Sequence, residues 1–466
     1  MRMRHDLVLG STRELGTVGA VAGLAGAYAG ALLSCGTMLS AMSSSTGGSL
    51  SILLAVVSVV FIGMALYVAA VVISAGVATV IAGRLRQIAT LRLLGARSTE
   101  LRRSIAMTTA RICLICSVIG VVAATLLVDV VRVVLVHQRH LPVADYPWFS
   151  LGTPVAVAAI TAVAAASGWA GSRRVLEASP ADALAGSIGA RSSGGRAGRV
   201  RVACSTVLVI GGAALFALAM ALGERGVAAG FLVAFLAACV TSTGLLAGAR
   251  FVLPAAVGVL GRLIGGDAPS VIARRNAVAD PARTTRSTLG LFVGVALVVT
   301  IASGTSALQT AVNSWQDLTM AQRHEAHDML SVASTITITV GVVSSLIAAI
   351  GFVSTMSLTV IQRRRELGLL RALGLTGSQV RSMITKESVA MSAAATSAGM
   401  LVGVCYGSAS AQALVGVETD GFVWGLPWLV LVAIVLAALA VILLASQPPA
   451  RRAIATPPVV ALRVDA

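Results

Sequence analysis

Long apolar runs alternate with short polar segments along the whole chain. Ten of these runs reach the length of about 20 residues that a helix needs to cross a bilayer. Backbone in lipid must satisfy its own hydrogen bonds, and the runs do not alternate residue by residue, so they are predicted to be membrane-spanning helices rather than barrel strands. The predicted spans are 16–37, 50–82, 107–135, 151–171, 203–222, 227–248, 287–307, 331–361, 387–415 and 427–446.

Composition agrees with this pattern, and the distribution of charge predicts an orientation. The 466 residues are 57% hydrophobic and 11% charged, with a mean hydropathy of +0.92, whereas soluble proteins carry about 25% charged residues. Basic residues number 35 against 18 acidic ones, and all but one are arginine. They concentrate in alternate short loops, which places both termini in the cytoplasm by the positive-inside rule. This placement argues against nucleic-acid binding.

A segment of nineteen residues occurs twice, 279 positions apart and without a gap. The copies are Arg86 to Ser104 (RQIATLRLLGARSTELRRS) and Arg365 to Met383 (RELGLLRALGLTGSQVRSM), and we call them the first and second connectors. One basic helix alone would rest on anionic headgroups, but two copies between equivalent spans favour a docking surface for a partner that works as a pair. Matched pairs are Arg86 and Arg365, Leu91 and Leu370, Arg92 and Arg371, Leu94 and Leu373, Gly95 and Gly374, and Arg102 and Arg381.

Apolar residues recur three apart in each connector, which predicts an apolar stripe along a short helix. The arginines leave that helix elsewhere on its surface. The stripe comprises Ile88, Leu91 and Leu94 in the first copy and Leu367, Leu370 and Leu373 in the second.

The residues after the stripe predict a tight turn and a second helix. Gly95 and Gly374 stand where a left-handed residue would end the first helix. In the second connector Thr376 and Gln379 match a capping box, which would start the next helix. The first connector has Arg97 in place of that threonine, so its cap must differ.

The duplication extends beyond the connectors. Ser179 to Leu184 (SPADAL) and Pro457 to Arg463 (PPVVALR) follow the fourth and tenth spans at nearly the same offset. The predicted fold is therefore an all-α polytopic membrane protein with ten spans arranged 4+2+4, in which two four-helix units form an internal pseudo-dimer. The predicted domains are the first unit at 1–185, a cytoplasmic linker at 186–202, a two-helix insert at 203–265 and the second unit at 266–466.

These motifs resemble the FtsX-like permease family of ABC transporter subunits. The family pattern is close to RRELGLLRALGATRRQI after a long span, followed by PAEALR after the last span of a unit. Arg364 to Val380 fits the first element well, and Arg86 to Leu101 fits it more loosely, with Gln87 where the second copy has Glu366. The lead-in ARRNA…PARTT at 273–285 also resembles the start of this family's second unit.

The resemblance implies a bacterial cytoplasmic-membrane permease that is not itself an enzyme. ATP and Mg²⁺ would be bound by a separate ATP-binding subunit, in two copies, and this chain would hold no cofactor. The sequence agrees, because its only lysine, Lys386, has no glycine-rich phosphate loop before it. The implied coupling residues are Arg86, Leu91, Arg92, Leu94, Gly95, Arg365, Glu366, Leu370, Arg371, Leu373 and Gly374.

The predicted outer loops are short, which sets this chain apart from relatives that carry a large extracytoplasmic domain. Only 39–48 and 308–330 stand where such domains would lie. This difference favours a substrate that enters from the membrane or from its outer face, and it points to export of a hydrophobic or amphipathic molecule such as an antibiotic, a peptide or a lipid. The alternative is a non-transporting FtsX-type relay that passes motion or a signal across the membrane.

Other functions have weaker support in the sequence. A secondary transporter needs ionisable groups near span centres, whereas Asp129 and Arg132 lie near a span end at the spacing of a structural ion pair. A membrane enzyme could use His324 and His327, but HEAH is shorter than the HExxH metal motif. The Cys113–Cys116 pair lies within an apolar run and is interpreted as packing.

Overall fold

The computed structural model describes residues 98–137, 152–177, 196–227, 229–263, 265–314, 364–419 and 421–440, together with short helical stretches between 19 and 74, the longest of them 25–31. All regular secondary structure in these residues is helical. The helices are α1 (Ser98–His137), α2 (Gly152–Glu177), α3 (Arg196–Glu224), α4 (Ala229–Leu260), α5 (Ala268–Ala279), α6 (Pro281–Ser314), α7 (Arg364–Ala372), α8 (Gly377–Val415) and α9 (Trp428–Ala440), with a 3₁₀ turn at Gly416–Glu418.

Six of the described helices are long and apolar enough to cross a membrane. They are α1, α2, α3, α4, α6 and α8, and they coincide with the predicted third to seventh and ninth spans. The tenth predicted span begins as α9, whereas 331–361 lies outside the described residues. The chain is thus a multi-pass membrane protein.

Two helix ends differ from the sequence prediction. The helix α3 begins at Arg196, so the end of the predicted linker is helical. The helix α4 continues through Pro254 to Leu260, well past the end of its predicted span at 248. Pro254 is buried within the bundle, and tertiary packing there outweighs the cost of a proline inside a helix.

The close packing of α6 on α8 relies on glycines of α8. A methyl group added to Gly403 would lie 2.8 Å from the carbonyl oxygen of Ala296, and one added to Gly407 would lie 2.4 Å from that of Thr300. Small residues let helix backbones approach closely where lipid offers no hydrophobic driving force. The core beside this contact includes Val295 of α6, Ala394 of α8 and Leu431 of α9.

The first unit packs in a matching way. A methyl group added to Gly120 of α1 would collide with the carbonyl oxygen of Gly23, in the first predicted span. Gly120 is the equivalent of Gly399 at the connector offset of 279. Gly399 makes a similar close approach, because a methyl group added to it would lie 2.9 Å from the carbonyl oxygen of Phe292 in α6. The repeated sequence therefore gives a repeated helix contact.

The two-helix insert lies between parts of both units. On one side α3 and α4 share an apolar cluster with α8, which includes Phe216, Ala237 and Ala409. On the other side the Tyr67 hydroxyl, in the second predicted span, donates to the Cys239 carbonyl of α4 at 3.2 Å. The insert thus touches the first unit through a hydrogen bond and the second through a packed face.

Asp129 and Arg132 form the predicted ion pair, with an N–O distance of 3.2 Å near the end of α1. His324 and His327 lie outside the described residues, and no cluster of metal-ligating side chains occurs among those that the structure describes. Cys113 and Cys116 are both free thiols within α1.

Candidate functional site

The second connector folds as the predicted helix, turn and helix. The short helix α7 ends in a pair of backbone hydrogen bonds, from Gly374 to the Arg371 carbonyl at 3.1 Å and from Leu375 to the Leu370 carbonyl at 3.1 Å. Together these bonds form a Schellman motif. Gly374 has φ of +103°, as expected of a residue that ends a helix in the left-handed region.

The start of α8 has the predicted capping box. The Gln379 amide donates to the Thr376 hydroxyl at 3.3 Å, and the Thr376 amide donates to the Gln379 side-chain carbonyl at 2.9 Å. Both ends of the turn are therefore held by hydrogen bonds, which makes α7 and α8 one rigid bent element.

A small apolar cluster lies beneath this bend and fixes its orientation. Leu367 of α7 and Val380, Met383 and Ile384 of α8 are buried in it together with Ala273 of α5. Partly buried side chains complete the cluster, namely Ile272, Leu370 and Leu375.

The predicted stripe is only partly correct. Leu367 and Leu370 pack inward, but Leu373 is 78% exposed and Leu369 is 48% exposed. Leu373 lies just beyond the last helical residue, where the chain turns toward Gly374, so the helical spacing no longer determines its direction. The result is an exposed apolar pair on a fixed helix end.

The charged residues of the second connector lie on the same short helix as this pair. Arg365 and Glu366 lie in the first turn of α7, and Arg371 lies in its last turn, where a cation interacts favourably with the helix dipole. Glu366 is exposed and Arg371 is partly buried. All the predicted site residues of the second connector, including Leu370 and Gly374, thus lie on one short element.

The predicted site residues of the first connector, Arg86, Leu91, Arg92, Leu94 and Gly95, lie outside the described residues. The helix after them is described from Ser98, the position equivalent to Gly377 at the start of α8.

The first turns of α1 and α8 bury equivalent positions. Leu101 and Ile105 of α1 are buried, and so are their equivalents in α8, Val380 and Ile384. The Arg102 guanidinium lies 4.2 Å above the ring centre of Trp169, which fixes α1 on α2.

The helix α5 contributes a part of this site that the sequence pattern did not predict. Besides Ala273, α5 brings Asp267, whose carboxylate oxygens both lie 2.6 Å from the Lys386 ammonium of α8. Hydrogen bonds from Lys386 and from Ser270 lower the pKa of the Asp267 carboxyl below its ordinary value. The available signal was the single lysine in a chain with 35 basic residues.

We expect Gly374→Ala to loosen the turn of the second connector. A methyl group there meets nothing within 4 Å, so the only cost is the positive φ of 103°, which is about 1–2 kcal/mol for a residue with a Cβ. Hydrogen exchange over residues 364–380 should speed up measurably. Gly266→Ala is the matched control, since that methyl also meets nothing within 4 Å but φ is not positive. Equal rates of hydrogen exchange in the two variants would contradict the assignment of Gly374 as the left-handed residue that ends α7.

Comparison with known families agrees with the internal repeat. The model of the FtsX-like permease C-terminal family matches two segments, residues 59–180 and 338–458. The segments begin 279 positions apart, the same spacing as the connectors, and each contains one connector. No curated protein matches the chain significantly. The two family matches cover about half of the sequence, and the chain belongs to the FtsX-like permease family, the multi-pass membrane components of ABC-transporter-type systems.

Proposed function

We propose that this chain is the permease subunit of an exporter for a hydrophobic or amphipathic substrate. Two copies of a separate ATP-binding subunit, which we call the motor, dock on the two connectors. In this proposal the connectors and both termini lie in the cytoplasm, and ATP and Mg²⁺ are bound by the motor alone.

The exposed pair Leu369 and Leu373 carries the proposal. Exposing a large apolar side chain to water costs about 1.5–3 kcal/mol relative to burying it, and these two stand on a helix whose opposite face is already packed. Apolar anchors on a preformed surface are typical centres of protein interfaces. The exposed Glu366 in the first turn of the same helix disfavours the alternative of a helix resting on anionic headgroups.

The rigid bend explains how a docked motor would move the bundle. Because the Schellman turn and the capping box join α7 to α8, a displacement of α7 is a displacement of all 39 residues of α8. The glycine contacts at Gly403 and Gly407 then carry α6 with it. Closure of the motor pair on ATP would thus reach the opposite end of the bundle.

Features at the opposite end of the second unit favour a substrate that is taken from the membrane. There the segment after α8 folds back on the helices, where the Gly425 amide donates to the Ser408 hydroxyl at 3.0 Å and the Val423 amide donates to the buried Gln412 side chain at 3.3 Å. The predicted outer segment 308–330 begins as a continuation of α6 to Ser314. These features favour a route along the bundle surface over one through a large outer domain.

Reconstitution with the cognate ATP-binding subunit tests the proposal. Proteoliposomes holding both proteins should move a fluorescent short-chain phospholipid between leaflets when ATP and Mg²⁺ are supplied, with two motor copies per permease by native mass spectrometry. A motor variant that lacks its catalytic glutamate is the control. A complex that hydrolyses ATP yet moves neither this probe nor a hydrophobic dye would favour the non-transporting relay instead, and a chain that binds no motor would refute both.

A further inference from the structure

The ion pair between Asp267 and Lys386 joins two elements that lie far apart in sequence. The Lys386 ammonium lies 2.6 Å from each carboxylate oxygen of Asp267, and the two side chains are 24% and 49% exposed. Lys386 lies on α8, in the turns after the second connector, and Asp267 lies immediately before α5. Both partners are thus part of the connector end of the bundle.

Asp267 pairs with Lys386 and does not make the helix-capping hydrogen bond that is usual for an aspartate in its position. It occupies the N-cap of α5, with φ of −67° and ψ of 158°, yet its side chain caps no backbone amide. An aspartate at an N-cap usually accepts a hydrogen bond from the first turn. Here the carboxylate accepts instead from Lys386 and from the Ser270 hydroxyl, so the geometry is built around the pair.

The loop before α5 is shaped to the same carboxylate. Gly265 has φ of +141°, and a methyl group on it would lie 3.2 Å from an Asp267 oxygen and 3.3 Å from the Ser270 hydroxyl oxygen. A side chain at Gly265 would therefore be strained by its own backbone and would crowd the carboxylate.

The Asp267–Lys386 pair stabilises the junction between the second connector and α5, the first helix of the second unit. The helix α5 packs under the bend through Ala273, and it ends at Ala279, just before α6 begins at Pro281. The Thr284 hydroxyl of α6 donates to the Ala277 carbonyl of α5, which fixes the angle between these two helices. A displacement of α8 can thus be transmitted to α6 through α5 at this end, as well as through the glycine contacts within the bundle.

We infer that Asp267 and Lys386 are positioning residues that make α5 part of the platform moved by the motor, so that α6 follows α8 from its first turn. The inference rests on the proposed function. Because both side chains are partly exposed, the pair adds little to folding stability. Its contribution is to the transmission of motion, and variants that lack it should fold normally.

The test compares variants that lose one charge of the pair with a variant that keeps it, in the complete complex of permease and motor. Asp267→Asn and Lys386→Gln should each keep motor binding but lower ATP-dependent movement of the fluorescent phospholipid, per ATP hydrolysed, by roughly five- to tenfold. Lys386→Arg keeps a cation opposite the Asp267 carboxylate and should retain most of the movement per ATP, while motor binding and yield stay the same in all three variants. Arg262→Gln, an exposed charge on the loop between α4 and α5, is the control and should change nothing.

A chemical readout checks the pair without the motor. Lys386 is the only lysine, so an amine-reactive reagent modifies one side chain, and its labelling in the full chain should accelerate several-fold in Asp267→Asn. Unchanged transport per ATP in Asp267→Asn and Lys386→Gln, or a loss in Lys386→Arg as large as in Lys386→Gln, would overturn the inference. Failure of the wild-type chain to bind any motor would instead refute the proposed function and leave the labelling result in place.

Discussion

Leu373→Asp should remove most of the affinity of the permease for its motor. The side chain is 78% exposed at the end of a fixed helix, and loss of a central apolar anchor typically costs about 2 kcal/mol or more, roughly a 30-fold weaker complex. An aspartate at this position would also have to lose its hydration to enter an apolar contact. Binding of the purified motor to the permease in nanodiscs, measured by biolayer interferometry, gives the dissociation constant. With Leu94→Asp in the first connector as well, we expect no detectable complex.

The matched control is Leu263→Asp. Leu263 is 81% exposed on the loop between α4 and α5 at the same end of the bundle, but it lies off the connector. Its replacement should leave the dissociation constant unchanged. If the two variants weakened binding equally, general exposure of apolar surface would explain the effect and the connector would lose its assigned role.

Gly407→Val should prevent α6 and α8 from packing. Even a methyl group at this position would lie 2.4 Å from the Thr300 carbonyl oxygen and 2.7 Å from the Gly304 amide nitrogen, which are backbone atoms that cannot turn aside. Overpacking of a core costs about 1–3 kcal/mol, and a clash between two backbones lies at the upper end. Thermal unfolding in detergent, followed by fluorescence size exclusion, should show a fall of several degrees in the midpoint and a poor yield.

Gly290→Val is the comparison for this effect. Gly290 lies on α6, in the same helix pair, and a methyl group there meets nothing within 4 Å. Its variant carries the same loss of backbone freedom without the collision, so it should unfold at nearly the wild-type temperature. A similar fall in both variants would mean that valine itself, and not the close approach, destabilises the bundle.

The parts of the site that follow local rules were predictable from the sequence. Gly374 and the pair Thr376 and Gln379 determine how one helix ends and the next begins, and these rules involve residues within one turn of each other. The structure has both motifs as predicted. The six spanning helices follow for a similar reason, because length and apolarity in lipid leave few alternatives.

Three features differ from, or go beyond, what the sequence pattern predicted. Leu373 matched the helical spacing, but its helix ends one residue earlier, and the turn directs its side chain outward. The pairing of Asp267 with Lys386 spans 119 positions, and no pattern of either residue alone identifies the other. The extension of α4 past 248 likewise reflects packing of Pro254 against neighbouring helices. Long-range packing decided the ion pair and the extension of α4, whereas the local turn decided the direction of Leu373.

The position of the insert has a consequence for how the two halves of the chain can evolve. Because α4 contacts Tyr67 on one side and α8 on the other, each half always meets the same partner in the same orientation. Two separate chains that pair with themselves must keep identical contact surfaces, whereas fused halves are released from that constraint. Each half can therefore specialise, as the two connectors have begun to do with Gln87 opposite Glu366 and Arg97 opposite Thr376.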